Sequence, residues 1–145
     1  MNFTTKSRYA VNALADLEHL SNYEHPVSLK DIADRQGIDL TYLEQLFRKL
    51  RIAGIVKSVR GRNGGYVYAS NPQNISIKNI MDAVEENLDA TNCSGTSSCH
   101  AGQQCNSHKL WDDLNNVVDE FLSDISIADL VAKPKDPHIT LKEIK

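Results

Sequence analysis

The chain has no long apolar run: none approaches the roughly 20 residues that a membrane-spanning helix needs. Lys6 and Arg8 stand near the N-terminus without the apolar stretch that follows such residues in a secretory signal. A phosphate-binding glycine loop and a nucleophile motif are also missing. The adjacent acidic pairs Glu85-Glu86 and Asp112-Asp113 diverge along predicted helices and make poor acid–base pairs. We therefore expect a cytoplasmic protein that has no membrane partner and is not an enzyme.

The bulk composition is ordinary, but the charge is unevenly placed. With 41% hydrophobic residues the chain can bury a core, and its net charge is −3. Residues 1–75 carry ten basic and seven acidic residues, whereas residues 76–145 carry six and twelve. Residues 48–62 include six basic residues and no acidic residue; the basic ones are Arg48, Lys49, Arg51, Lys57, Arg60 and Arg62. A basic stripe on an acidic chain indicates a site for a polyanion such as DNA; a solvated charged face is the alternative.

The first half of the chain predicts a helix-turn-helix. Apolar residues recur at helical spacing over residues 5–20. Ser28 followed by Asp31 predicts a capping box at the start of a second helix, which Gly37 ends in a left-handed conformation. Asp39 is expected to cap a third helix. Its buried face comprises Leu43, Leu46, Phe47 and Leu50, and Thr41, Tyr42, Gln45 and Arg48 lie on or near the other face. Two helices joined by a short glycine-containing turn are typical of this motif.

A basic hairpin is predicted directly after the third helix. Residues 55–59 and 66–69 have the composition of strands, and Asn63-Gly64 between them is expected to supply the positive φ angles of a tight turn. The tip carries Arg60 and Arg62, which suit phosphate oxygens or minor-groove acceptors. A helix-turn-helix followed by such a hairpin is the layout of a winged helix, although a plain surface hairpin is the alternative.

Two further helices are predicted. Ser76 is expected to cap a short helix that runs through Glu86, and a long helix is expected over residues 108–125. Apolar residues of the long helix recur at the spacing of a coiled-coil seam. The seam comprises Trp111, Leu114, Val118, Phe121 and Ile125, and Leu110, Val117 and Leu122 widen it. Because symmetric pairing doubles the DNA site of a helix-turn-helix, we interpret the seam as a homodimer interface. A terminal helix folded onto its own domain is the alternative.

The three cysteines lie in one segment. Cys93, Cys99 and Cys105 are separated by two equal gaps of five residues, and His108 follows. The residues between them are small or polar, so core packing does not account for the thiols. Thiolates and imidazole suit zinc or an iron–sulfur cluster. A structural zinc site usually has cysteines roughly two to four residues apart, so a cluster ranks first, zinc second and a disulfide switch third. His100 is a competing imidazole, and His108 alternatively caps the long helix.

With these residues identified, the chain closely resembles the IscR family of bacterial iron–sulfur cluster regulators, within a larger group of winged-helix repressors. The resemblance covers about residues 1–131. The matching segments are residues 5–11, 42–47, 58–61, 64–66 and 89–91, the three cysteines, His108, and residues 110, 111, 113 and 114. Arg62-Asn63 departs from the family, which has a proline- or glycine-rich wing tip there. A sister branch senses nitric oxide with a similar loop and an acidic ligand near the first helix, where this chain has Arg8.

The resemblance implies a homodimer that binds a 2Fe–2S cluster through Cys93, Cys99, Cys105 and His108. It also implies that cluster occupancy changes which promoters are bound, including those of cluster-assembly genes, and cluster-assembly proteins would be the donors of the cluster. The DNA contacts that it implies are Thr41, Tyr42, Glu44 and Gln45 in the third helix and Ser58, Arg60 and Gly61 in the wing; Arg48 and Arg62 join them because of their positions.

The predicted fold class is mainly α with a small β-hairpin wing: a winged helix-turn-helix followed by a long C-terminal dimerisation helix. Residues 1–75 would form the DNA-binding domain, residues 76–133 the cluster-binding loop and dimerisation helix, and residues 134–145 a flexible tail. Ligation is expected to order the cysteine loop between the fourth helix and the long one. A zinc-stabilised or nitric-oxide-sensing repressor is the alternative function.

Overall fold

The computed structural model describes residues 3–20, 25–86, 88–90 and 106–132. Within these ranges the helices are α1 (Thr5–Leu20), α2 (Leu29–Gln36), α3 (Leu40–Ile52), α4 (Ile77–Ala83), α5 (His108–Asp124) and α6 (Ile127–Ala132). The strands are β1 (Val56–Val59) and β2 (Gly65–Tyr68), and a 3₁₀ turn spans Pro72–Asn74. None of the helices in the described ranges has the length and apolarity to cross a bilayer. The predicted fold class, mainly helical with one hairpin, is confirmed.

Local capping sets the bounds of the helix-turn-helix. The Ser28 hydroxyl accepts a hydrogen bond from the Asp31 backbone N–H at 3.1 Å, and Gly37 ends α2 at φ 67°. The Asp39 carboxylate accepts from the Tyr42 backbone N–H at 3.1 Å and begins α3. Each bond satisfies a helix-end amide that has no partner within its own helix. Ser28 and Asp39 are confirmed as the residues that cap the starts of α2 and α3, and Gly37 as the residue that ends α2.

The hairpin is confirmed, but its turn differs from the prediction. Val56 pairs with Tyr68 and Val59 with Gly65 in antiparallel register, which leaves a five-residue loop. The positive φ of 119° lies at Gly61. The expectation that Asn63-Gly64 supplies the positive φ is therefore wrong, because the tight turn that needs Asn-Gly has two residues and this loop has five. Gly64 is needed for space instead, since a Cβ there would lie 2.2 Å from the Val59 carbonyl oxygen.

One apolar core joins the helices before and after the hairpin. The largest side chains that are fully buried include Leu14, Leu17, Leu43, Phe47, Leu50, Ile80 and Ile127. The helix α6, which contributes Ile127, was not predicted; it packs on α1. Backbone bonds from Ile77 N–H to Ile125 O at 2.8 Å and from Ile127 N–H to Ile75 O at 2.9 Å tie α4 to the α5–α6 junction. The division of the chain at residue 75 stays a prediction, and the described residues on both sides of it share this core.

The helix α4 ends at Ala83 rather than at the predicted Glu86. Glu85 adopts φ 64°, a left-handed conformation, and the Glu86 N–H donates to the Met81 carbonyl at 2.9 Å. A left-handed residue followed by such a backward bond is a common way to end a helix. The turn directs the chain away from α4 toward the start of α1.

Three predictions fall outside the described residues. The cysteine ligands Cys93, Cys99 and Cys105, the ordering of their loop, and the tail of residues 134–145 all lie there.

Candidate nucleic-acid interface and metal-ligand segment

The surface of α3 presents the side chains that were predicted to contact DNA. Thr41, Glu44, Gln45 and Arg48 are exposed, and the opposite face of the helix is buried in the core. No packing demand in the core accounts for these polar residues at the surface. The helix therefore offers a polar face with the hydrogen-bonding groups that distinguish base edges in a major groove.

Tyr42 lies at the edge of this face and is half-buried. Its ring packs edge-on against Tyr9, with centroids 5.8 Å apart. Its hydroxyl lies 3.2 Å from the hydroxyl of Thr5. Tyr42 thus has a packing role between α3 and the start of α1.

The base of the hairpin packs against α3, and the basic residues of its tip are exposed. Ser58, Arg60, Gly61 and Arg62 are all exposed. At the base of the hairpin the Tyr66 ring packs edge-on against Phe47 of α3, with centroids 5.1 Å apart. Tyr66 also exchanges backbone hydrogen bonds with Val27 at 2.8 and 3.0 Å, which fixes the hairpin against the start of the α2 region. The strands whose loop carries the two arginines are therefore fixed against α3 and against the segment before α2.

An ion pair between the buried Asp16 and the exposed Arg35 joins α2 to α1. The Asp16 carboxylate is 4% exposed and accepts from Arg35 Nε at 3.1 and 3.2 Å and from Nη2 at 3.1 Å. The hydrogen bond and the charge of Asp16 raise the pKa of Arg35. Such a pair is geometrically specific, so Arg35 orients α2, the helix that precedes α3.

The turn after α4 contacts both α3 and α1, which the sequence did not reveal. Lys49 Nζ of α3 lies 2.9 Å from Glu85 Oε2. The Glu86 carboxylate accepts from the Thr4 backbone N–H at 3.0 Å, from the Thr4 hydroxyl at 2.8 Å and from the Ser7 hydroxyl. In the sequence these two residues were only an adjacent acidic pair. Their contacts join positions about 36 to 82 residues apart, and no local pattern signals such pairs.

The residues that lead to the cysteines are held by α5. The Asn115 amide donates to Asp89 Oδ1 at 2.7 Å, and its carbonyl accepts from the Ala90 backbone N–H at 2.8 Å. His108 is the first residue of α5 and is 8% exposed. Among the residues that the structure describes, no three His, Cys, Asp or Glu side chains come together as a metal site. His108 is thus the single member of the predicted ligand set whose position is described.

The predicted dimer seam divides between two faces of α5. Trp111 and Phe121 are exposed, Leu114 and Val118 are half-buried, and Ile125 packs against the core of its own chain together with Leu122. Within α5 the most exposed apolar residues are Phe121 and Val117, both at 62%, and Leu110 at 58%. An apolar face of α5 therefore remains at the surface. It shares Phe121 with the predicted seam, but it also includes Leu110 and Val117, which lie beside that seam.

Comparison with known proteins agrees with this arrangement. The model of a family described as "Rrf2: Iron-dependent Transcriptional regulator" matches residues 3–133. The chain is 52% identical over 134 residues to the ORF2 protein of Azotobacter vinelandii, which covers 92% of this chain and 80% of that protein. It is 47% identical over 131 residues to the HTH-type transcriptional regulator IscR of Pectobacterium atrosepticum, covering 90% of this chain and 79% of the relative.

Solved structures show the same architecture. T. potens IscR is 35% identical with a TM-score of 0.77, over 95% of this chain and 91% of that one. CymR, the global cysteine regulator of B. subtilis, is 32% identical with a TM-score of 0.78, over 91% and 97%. The proteins named IscR and CymR are regulators and not enzymes. By sequence and by fold, this chain belongs to the Rrf2 family and is a winged-helix, DNA-binding transcriptional regulator rather than an enzyme.

Proposed function

We propose that this regulator senses iron–sulfur status through a 2Fe–2S cluster held by Cys93, Cys99, Cys105 and His108, and that cluster occupancy changes which promoters it binds. The observation that carries the proposal is the donor set: three thiols in a polar segment lead directly to a buried imidazole at the start of α5. The family description, which names iron, and the relatives named IscR support it. The protein would work in the cytoplasm and take its cluster from assembly proteins there.

The start of α5 suits an anionic centre. Thiolates are soft ligands for iron–sulfur clusters, and an imidazole can replace one of them. The helix has 17 residues and no acidic residue in its first turn, and a helix N-terminus stabilises negative charge. A bound cluster would supply iron bonds that join ligands up to 15 positions apart and so constrain the chain between them.

The chain beside the cysteines provides a route to the DNA surface. Residues 89 and 90 are bound to Asn115 of α5. A few residues earlier, Glu86 contacts the start of α1 and Glu85 contacts α3. A constraint on residues 93–108 therefore acts on a segment that touches two helices of the DNA-binding region. Because a ligand shifts an equilibrium only by its differential affinity for two states, the loaded and empty forms must differ in DNA affinity.

For DNA contact, we propose that α3 enters the major groove and the hairpin lies over the backbone or the neighbouring minor groove. Gln45 would pair with adenine and Glu44 would accept from a cytosine amino group. Thr41, Arg48, Ser58, Arg60, Gly61 and Arg62 would make the remaining contacts, with Tyr42 at their edge. Glu44 would also exclude sites that place a phosphate or a wrong base beside it.

For dimerisation, we propose that the exposed face of α5 pairs with that of a second copy. Leu110, Leu114, Val117 and Phe121 follow a spacing of four, three and four, which is the spacing of a coiled-coil seam. Trp111, held by a hydrogen bond from its Nε1 to the Ser107 hydroxyl at 2.9 Å, and Val118 flank this stripe. Ile125, placed in the seam by the sequence pattern, would serve the core instead.

The test is anaerobic reconstitution with iron and sulfide, followed by metal and sulfide analysis and absorption spectra. Wild type is expected to contain iron and sulfide and to show charge-transfer absorption, whereas Cys93→Ala and His108→Ala lose it. His100→Ala is the matched control, because it removes the competing imidazole, and it should behave as wild type. A colourless protein that contains zinc, or an unchanged cluster in His108→Ala, would contradict the proposal.

A further inference from the structure

Lys49 occupies the flank of the polar face of α3. It follows Tyr42 by seven residues, about two helical turns, so these two side chains lie on the same flank, and both are half-buried. Thr41, Gln45 and Arg48 lie nearer the centre of the exposed face. In a helix that lies in a groove, central residues face base edges and flanking residues face the phosphates on either side. Lys49 therefore has the position and the charge of a phosphate-binding residue.

In the free protein this ammonium group faces a carboxylate. Lys49 Nζ lies 2.9 Å from Glu85 Oε2, and the side chains are 38% and 72% exposed. The hydrogen bond and the charge of Lys49 lower the pKa of Glu85, with a smaller contribution from Lys6. The carboxylate is ionised at neutral pH and already pairs with the ammonium group that a phosphate oxygen would need.

Glu85 is held there by its backbone and not by burial. It adopts φ 64°, a left-handed conformation that residues other than glycine, asparagine and aspartate rarely take. Its neighbour Glu86 is anchored to Thr4 and Ser7 of the α1 region. Glu85 is exposed, so it has no role in the core. Its carboxylate is directed at a lysine of the DNA-binding helix.

We propose that Lys49 is a phosphate-binding residue and that Glu85 acts as an internal phosphate mimic, which competes with DNA for it. The inference rests on the proposed role of α3 in contacting DNA. A phosphate that reaches Lys49 must displace the Glu85 carboxylate or lie within a few ångströms of it, and like charges at that distance repel. Glu85 thereby lowers affinity for all DNA sequences alike, and specific contacts elsewhere on α3 become decisive for binding.

The experiment measures binding of cluster-free protein to a mixed-sequence duplex of about 30 base pairs at several salt concentrations. Glu85→Gln keeps the shape of the side chain and removes its charge. Because an exposed ion pair is weak, we expect binding about threefold to fivefold tighter at low salt, with a steeper salt dependence. Lys49→Gln combined with Glu85→Gln is expected to abolish this gain.

The control is Asp82→Asn, which removes the same charge three residues away. Asp82 pairs with Lys78 at 2.7 Å, on the side of α4 that faces α5, and its replacement should change affinity less than about twofold. Equal gains from Glu85→Gln and Asp82→Asn, or a gain that persists without Lys49, would overturn the proposal. If Arg48→Ala binds DNA as tightly as wild type does, the proposed contact of α3 with DNA fails instead. The two failures are therefore distinguishable.

Discussion

Replacing Glu86 by alanine is expected to destabilise the free protein by about 2 kcal/mol. The Glu86 carboxylate accepts three hydrogen bonds at the start of α1, from the backbone and hydroxyl of Thr4 and from the hydroxyl of Ser7. The helix has no acidic residue in its own first turn, so Glu86 acts as its capping acceptor from another part of the chain. It also interacts favourably with the positive end of the helix dipole.

The magnitude follows from these contacts. A helix-capping side chain contributes about 0.5–2 kcal/mol, and hydrogen bonds to a charged group lie at the upper end of the usual range. Glu86 is half-buried, so water can replace its hydrogen bonds to Thr4 and Ser7 less readily than at an exposed site. For a chain of this size, 2 kcal/mol corresponds to a decrease in Tm of about 4–8 °C.

The assay is urea denaturation at a fixed protein concentration, because the proposed dimerisation would make stability depend on concentration. Glu86→Ala is compared with wild type and with Glu120→Gln, which removes an exposed carboxylate of α5 and is expected to change stability by less than about 0.5 kcal/mol. Equal stability of Glu86→Ala and wild type would refute the assigned capping role.

The pH dependence gives a second check. Burial opposes ionisation of Glu86, but the hydrogen bonds from Ser7 and Thr4 outweigh it and lower its pKa below the ordinary value of 4.5. A carboxyl whose pKa is lower in the folded state stabilises the protein above its unfolded pKa and loses this effect as pH falls through the folded pKa. The difference between wild type and Glu86→Gln should thus be largest at neutral pH and shrink below about pH 4. A difference that does not change with pH would contradict this reasoning.

Four further predictions concern DNA binding, the hairpin and the dimer. Arg60→Ala should weaken binding to all promoters and reduce the salt slope by about one, as measured by fluorescence anisotropy; a sequence-dependent loss would argue against a phosphate contact. Glu44→Ala should relax base preference at one position in a binding-site selection, and unchanged specificity would refute its role. Gly65→Ala places a Cβ 2.3 Å from the Val27 carbonyl oxygen and should lower Tm by at least about 4 °C; an unchanged Tm would contradict the close packing. Phe121→Asp should produce monomers in sedimentation equilibrium, whereas Asp112→Asn, a polar change on the same helix, should not.

The helices of the DNA-binding region could be predicted because their signals are local. Ser28, Gly37 and Asp39 act on residues within one turn of themselves, so the sequence pattern and the observed caps agree. The composition predicted the bounds of both strands to within one residue, including the paired ends Val56 and Tyr68. The identity of the turn residue did not follow, because the register of pairing, not the Asn-Gly pair, decides which glycine needs a positive φ.

The contacts that fix the surface could not be predicted because they are not local. Glu85 and Glu86 reach α3 and α1 only through the left-handed turn after α4, and nothing near them in sequence indicates that turn. The same holds for α6, a short helix whose burial depends on α1. In α5, two neighbouring apolar stripes share residues at spacings of three and four, and only the fold shows that Ile125 faces the core and Val117 faces outward.

The most direct test of the account compares the DNA affinity of cluster-loaded and cluster-free protein on several promoters under anaerobic conditions. Wild type is expected to change its preference among promoters on loading, and a variant with Cys93, Cys99 and Cys105 replaced by alanine is expected to bind as the cluster-free protein does. Identical affinities of loaded and empty wild type on every promoter would contradict the account.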